Sequence, residues 1–138
     1  GNFEESRGWA ALGATASVQG RMRRYVESQP AFAQASLAQA VELALCTWAV
    51  GSLAQAASES PAAESSSTQL SEEQTEGDGS SLPDKAALLA HVRQTVAEKS
   101  LECVLLERRG PGSAKYRALR PEELGRLLPS AVSSPATT

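Results

Sequence analysis

Aromatic, histidine and cysteine residues are scarce in this chain of 138 residues. Only 4% of the residues are aromatic, and the chain has two cysteines, Cys46 and Cys103, and one histidine, His91. Two cysteines in apolar segments form neither a disulfide framework nor a zinc pattern, which favours two buried, reduced thiols. A single histidine has no partners for a metal site or a catalytic triad. The sequence therefore predicts no catalytic residue, no metal site and no cofactor.

Patterns typical of phosphate binding and of membrane insertion are also missing. Gly110-Pro111-Gly112 lacks the Lys-Ser/Thr pair that follows in a P-loop, so a plain turn is expected. The apolar stretch 31–57 contains three glutamines and Glu42, which argues against a membrane span. With unpaired thiols and no recognisable signal peptide, we expect an intracellular protein, cytoplasmic or nuclear.

The segment 58–82 is strongly acidic and contains no Lys, Arg or aromatic residue. Its six acidic residues are Glu59, Glu64, Glu72, Glu73, Glu76 and Asp78. Ser, Gly and Ala fill most of the rest, so the segment buries too little apolar surface to offset its ordering entropy. We expect a disordered loop that interrupts a single helical domain over residues 1–129, followed by a disordered tail over 130–138.

Positive charge is concentrated after the acidic segment. Residues 1–57 carry four Arg and four Glu, whereas residues 85–138 carry nine Lys or Arg against five Glu. An acidic segment beside a basic arm screens that arm within the chain. The charge pattern therefore argues against strong non-specific binding to nucleic acid.

Two helices are predicted before the acidic segment. The first covers residues 3–27, with a break near Gly13 or Gly20, because an internal Gly costs about 1 kcal/mol relative to Ala. Pro30 ends this helix. The second covers residues 31–57 and has apolar side chains on two sides, which is typical of a central helix contacted from both flanks. One stripe contains Leu37, Val41, Leu45 and Trp48, and the other contains Leu43, Cys46, Val50 and Leu53.

Two further helices are predicted after the acidic segment. The third begins at Leu82-Pro83-Asp84, with Ser81 as its cap. Its apolar stripe consists of Leu88, Leu89, Val92 and Val96. The fourth begins at Pro121 and stops at Pro129.

Residues 101–119 allow two interpretations. Leu101 to Leu106 either continue the third helix, with Gly110 as its stop, or form a buried strand that pairs with residues 114–119. We favour the helix, because Val104 is the one strong β former in the run. The predicted fold is therefore all-α, a small bundle of three to four helices with the acidic loop between the second and third. The alternative is an α+β, winged-helix-like fold with a hairpin at 101–119.

The composition favours a non-enzymatic protein–protein interaction module, part of a larger intracellular scaffold or regulatory protein. Helical surfaces rich in Ala and Leu bind partner helices in grooves, and large aromatic side chains dominate interface energies. The expected partner is another protein, bound through a helix or groove, rather than a membrane. The candidate partner-binding residues are Trp9, Arg21, Arg23, Arg24 and Tyr25. Trp48 is a further aromatic candidate, but a core position is favoured for it.

Nucleic-acid binding is the alternative function. If residues 101–119 form a hairpin, the order of helix 82–99 and hairpin resembles the layout of a winged helix, with Arg108 and Arg109 at the tip of the wing. The candidate nucleic-acid-binding residues are Arg108, Arg109, Lys115, Arg117 and Arg120. The candidate recognition helix carries only Lys85, Arg93 and Lys99, so this interpretation ranks second.

Overall fold

The computed structural model describes residues 9–30, 34–59, 81–106 and 116–132. These residues are mostly helical, as the sequence predicts, but they also contain a small two-stranded sheet. The elements in chain order are α1 (Ala16–Ser28), α2 (Leu37–Glu59), α3 (Lys85–Glu98), β1 (Val104–Leu106), β2 (Tyr116–Ala118) and α4 (Pro121–Leu127). Most of the acidic segment, residues 60–80, lies outside the described part of the chain.

Helix α1 is shorter than predicted. It begins after Thr15, whose Oγ1 accepts a hydrogen bond from the Val18 amide at 3.2 Å and so satisfies one unpaired donor of the first turn. The predicted break therefore falls near Gly13, and the helix continues through Gly20 to Ser28. Residues 3–8 of the predicted helix lie outside the described residues.

Gly20 gives a direct test of this helix. A methyl group added at Gly20 meets no atom within 4 Å. Gly20→Ala should therefore raise the free energy of unfolding by about 0.5–1 kcal/mol, measured by urea denaturation, because Ala loses less backbone entropy in a helix. The matched control is Gly51→Ala in α2, where the new Cβ would lie 2.7 Å from Met22 Sδ. If Gly51→Ala raised the free energy of unfolding as much as Gly20→Ala does, the close packing of α1 on α2 would be contradicted.

Helix α2 is the centre of the fold, as its two apolar stripes predict. α1, α3 and α4 all contact it. Val41 and Leu45 are buried on one side, Cys46 and Val50 on the other, and Ala49 is completely inaccessible. Within the described part of the chain, α2 alone is long and apolar enough to cross a membrane by length and composition. Here its buried residues form the core of the helical packing.

Helix α3 packs on α2 through the predicted stripe. Leu88 and Val92 are 0% and 1% exposed. The predicted cap is wrong in one detail: the capping residue is Asp84 rather than Ser81, because Asp84 Oδ1 accepts the hydrogen bond of the Ala87 amide at 2.7 Å. Lys85, the first residue of the helix, forms an ion pair with Glu42 of α2, which is half-exposed at the edge of the helix.

The favoured helical interpretation of residues 101–106 is wrong. β1 pairs antiparallel with β2, with Leu105 opposite Arg117, and the Leu119 amide donates to the Cys103 carbonyl at 2.9 Å. Burial alternates along Leu101–Leu106, so that Leu101, Cys103 and Leu105 face the core. This period of two is that of a strand with one buried face. The hairpin of the alternative interpretation is therefore present.

Helix α4 begins at Pro121, as predicted. Glu123 Oε2 accepts from the Arg120 amide at 3.2 Å, and Leu124 is buried against α2. The chain still packs on the core after residue 130, however. Val132 is only 4% exposed, and its amide donates to the Pro129 carbonyl at 2.8 Å. The predicted disordered tail therefore begins too early, and residues 133–138 lie outside the described residues.

Candidate functional site

Trp48 is the most prominent exposed aromatic residue of the helical packing. The sequence favours a core position for it, yet 43% of the residue is accessible to solvent. One face of its indole stacks on the imidazole of His91 from α3, with ring centroids 5.6 Å apart and planes 14° from parallel. An exposed, partly supported tryptophan is a common anchor of protein interfaces.

The first of two grooves beside Trp48 lies between α2 and α3, and we call it the α2–α3 groove. Its volume is about 360 Å³ and its lining is mainly apolar. The floor and walls are formed by Val41, Ala44, Leu45, Trp48, Val92, Thr95, Val96, Leu101, Cys103 and Leu124. Lys99, Ser100 and Glu102 add polar groups, all three exposed to solvent. A mainly apolar groove with a few polar groups is the usual form of a binding site.

The second groove lies between α1 and α2, and the segment before α1 forms part of its lining. We call it the α1–α2 groove. Its volume is about 340 Å³. It is lined by Trp9, Ala10, Ala11, Leu12, Met22, Val26, Ala40, Leu43, Ala44, Thr47 and Trp48. Ala44 and Trp48 line both grooves, so the indole forms a ridge between two apolar depressions. We call this feature the Trp48 ridge.

A hydrogen bond joins α2 and α3 next to the ridge. Ser52 Oγ and His91 Nε2 lie 3.0 Å apart, and both residues are half-buried. The sequence contains no signal for the pairing of His91 with Ser52 or for its stack on Trp48, because both depend on how α3 packs against α2.

The predicted partner-binding residues divide between surface and core. Trp9 is half-buried and lines the α1–α2 groove beside Trp48. Tyr25 is 6% exposed and belongs to the core. Of the three arginines of α1, Arg21 and Arg23 are half-buried, and Arg24 is exposed. The structure therefore brings Trp9, but not Tyr25, to the Trp48 ridge.

The buried polar groups of this region belong to the core. Burial raises the pKa of Tyr25 well above its usual range, and the neighbouring thiol of Cys46 raises it further. Burial also raises the pKa of the Cys46 thiol, although the hydrogen bond with Tyr25 partly opposes the change. A buried thiol that resists ionisation is a poor nucleophile. Cys103, by contrast, is half-buried and lines the α2–α3 groove.

Thiol reactivity should separate the two cysteines. At pH 8, we expect a disulfide reagent such as DTNB to modify Cys103 rapidly in the folded protein and Cys46 only after unfolding. The raised pKa of Cys46 keeps its thiolate fraction low at this pH, and burial blocks access. Cys103→Ser should remove the fast phase and Cys46→Ser should leave it. A fast phase that survives Cys103→Ser would show that Cys46 is accessible.

The predicted basic cluster is only partly described. Arg117 Nη1 forms an ion pair with Glu123 Oε1 at 2.8 Å, and this arginine holds the pKa of Glu123 below its usual range. Arg120 is exposed at the start of α4. Arg108, Arg109 and Lys115 lie outside the described residues, in the connection between β1 and β2.

The outer face of the hairpin is a second exposed apolar surface. Val104, Leu106 and Tyr116 are 48%, 73% and 63% exposed, and Leu106 lies directly opposite Tyr116 in the ladder. Residues that lie opposite each other or two positions apart share a face, so these three side chains project together. None of these three side chains lines the α2–α3 groove or the α1–α2 groove.

No group of three or more His, Cys, Asp or Glu residues within the described ranges is arranged to hold a metal ion. Comparison of the chain with protein-family models, with curated proteins and with solved structures gives no match.

Proposed function

We propose that this chain is a non-enzymatic protein-interaction module of a larger intracellular scaffold or regulatory protein. It binds an amphipathic helix of a partner protein across the Trp48 ridge. The observation that carries the proposal is the position of Trp48, which is 43% exposed between two apolar grooves that both include its side chain.

The two grooves suit apolar side chains on one face of a helix. Residues at positions i, i+3, i+4 and i+7 lie on the same side of a helix, so such a face places anchors on both sides of the indole. Each groove holds a few side chains, because its volume is about 340–360 Å³. Lys99 and Glu102 beside the α2–α3 groove provide charged contacts that orient the partner.

A peptide library tests this function before any partner is identified. Eighteen-residue peptides with an Ala/Glu/Lys scaffold and random apolar residues at i, i+3, i+4 and i+7 are displayed on phage and selected on the full chain. We expect enrichment of peptides that shift the amide resonances of Leu45, Val96 and Leu101 in ¹⁵N-correlation spectra. The same compositions with scrambled apolar spacing are the control.

Two results would contradict the proposal. One is equal enrichment of the scrambled peptides, which would indicate non-specific apolar adhesion. The other is a set of chemical-shift changes confined to the outer face of the hairpin, which would place binding at Leu106 and Tyr116 instead.

Nucleic-acid binding is the second candidate, and the hairpin after α3 supports it. The connection between the strands contains Arg108, Arg109 and Lys115, and Arg120 is exposed nearby in the chain. If this function holds, the affinity for a 20-base-pair DNA duplex, measured by fluorescence anisotropy, should fall steeply between 50 and 200 mM salt. A double Arg108→Ala, Arg109→Ala variant should weaken binding further. Arg24→Ala, which removes an exposed positive charge from α1, is the control, and equal affinity in both variants would exclude a wing.

A further inference from the structure

We infer that Ser52 and His91 are positioning residues that hold the Trp48 indole in one orientation between the two grooves. The expected effect of Ser52 and His91 on binding rests on the proposed function. Their expected effect on the orientation of the indole does not. It is carried by two contacts, the stack of His91 on Trp48 and the hydrogen bond between His91 and Ser52.

The geometry explains why the pair acts on the indole. Trp48 and Ser52 are four residues apart in α2, so they lie one above the other on the same helical face. His91 reaches both of them from α3. Its Nε2 is 3.0 Å from Ser52 Oγ, which fixes the rotation of the imidazole, and the fixed ring covers one face of the indole at an interplanar angle of 14°. Without that cover, a half-exposed tryptophan would exchange among its staggered rotamers.

The position of the imidazole is itself well defined. Leu88 and Val92 flank His91 in α3 and are the most deeply buried residues of the contact with α2. Thr95 Oγ1 donates a hydrogen bond to the His91 carbonyl at 2.9 Å. The ring that supports Trp48 is therefore carried by a helix whose placement depends on the main core, and not by a loose surface segment.

A fixed indole changes the affinity for a partner helix. Immobilising a side chain during binding lowers affinity, whereas a side chain that is already fixed avoids that loss. We expect the loss of the Ser52–His91 support to weaken binding of a library-selected peptide by roughly three- to tenfold. The apolar lining of the grooves is unchanged in these variants, so binding should be weakened and not abolished.

The test uses the full chain with Trp9→Phe, so that Trp48 is the single indole. Near-ultraviolet circular dichroism and acrylamide quenching then report the order and the accessibility of Trp48. His91→Ala and Ser52→Ala should reduce the dichroism and increase quenching. His91→Phe, which keeps an aromatic ring for the stack but loses the hydrogen bond to Ser52, should restore the signal from the level of His91→Ala to that of Ser52→Ala. Gln94→Ala, an exposed change on α3, is the matched control and should change neither signal.

Unchanged dichroism and quenching in both His91→Ala and Ser52→Ala would overturn the inference, because the indole would then be held by other groups. Failure of His91→Phe to restore the signal would equally overturn the role of the stack. If no library peptide binds the wild-type chain, the proposed function fails, while the spectroscopic comparison still decides whether the pair holds Trp48. If a peptide binds and His91→Ala and Ser52→Ala bind it as tightly as the wild type, the inference fails and the proposed function stands.

Discussion

Replacing Leu88 with Ala should lower the free energy of unfolding by about 3 kcal/mol. Leu88 is completely inaccessible and lies where α3 packs on α2, in the main core cluster. Truncation removes buried apolar surface and leaves a cavity that the surrounding helices fill only in part, and such changes cost about 2–5 kcal/mol. Since small domains are stabilised by only about 5–15 kcal/mol, the loss is a large fraction of the total.

Urea denaturation followed by circular dichroism at 222 nm measures this loss. The control is Leu12→Ala, which removes the same atoms from a residue that is 83% exposed and should change the unfolding free energy by about 0.5 kcal/mol or less. Equal losses in the two variants would contradict the packing of α3 on α2. That packing also carries His91, so the stack on Trp48 depends on it.

Replacing Trp48 with Ala should weaken binding of a library-selected helical peptide by about 30-fold or more. Central aromatic anchors contribute about 2 kcal/mol or more to an interface, and this indole lines both grooves at once. The free energy of unfolding should fall by only about 1 kcal/mol, because nearly half of the side chain is already in contact with water. Titration calorimetry with the selected peptide gives the first value, and urea denaturation the second.

Tyr116→Ala is the matched control for Trp48→Ala. Tyr116 is also a large exposed aromatic residue, 63% accessible, but it lies on the outer face of the hairpin and lines neither groove. We expect no change in peptide affinity in this variant. If Tyr116→Ala weakens binding as much as Trp48→Ala does, the partner surface is the hairpin and the proposed role of the ridge is wrong.

Elements that are stabilised by neighbouring residues are predictable from this sequence, whereas elements that depend on distant residues are not. The start of α4 is predictable because its signal is local: a proline in the first turn, followed by two glutamates near the positive end of the helix. The hairpin is harder to predict because its strands are three residues long and are stabilised by partners ten or more residues away. A short apolar run such as Leu101–Leu106 has no period that separates helix from strand until its burial is known.

The candidate site shows the same limit. Residue type alone favours both Trp9 and Tyr25 as anchors, yet Trp9 lines a groove and Tyr25 is buried. The sequence favours a core position for Trp48 because it continues the stripe of Val41 and Leu45. Val41 and Leu45 in that stripe are buried, but α1 and α3 do not cover Trp48 completely. The residue pattern within α2 does not predict how far the neighbouring helices cover it.

Local chemistry along the chain is enough to establish a mainly helical protein, the central place of α2 and the starting point of α4. Helical periodicity, caps and prolines act between residues a few positions apart, so they can be interpreted before the chain is folded. The exposure of Trp48, its support by His91 and Ser52, and the two grooves beside it arise where separate helices meet. They depend on interhelical packing between residues up to 43 positions apart, which no local pattern encodes.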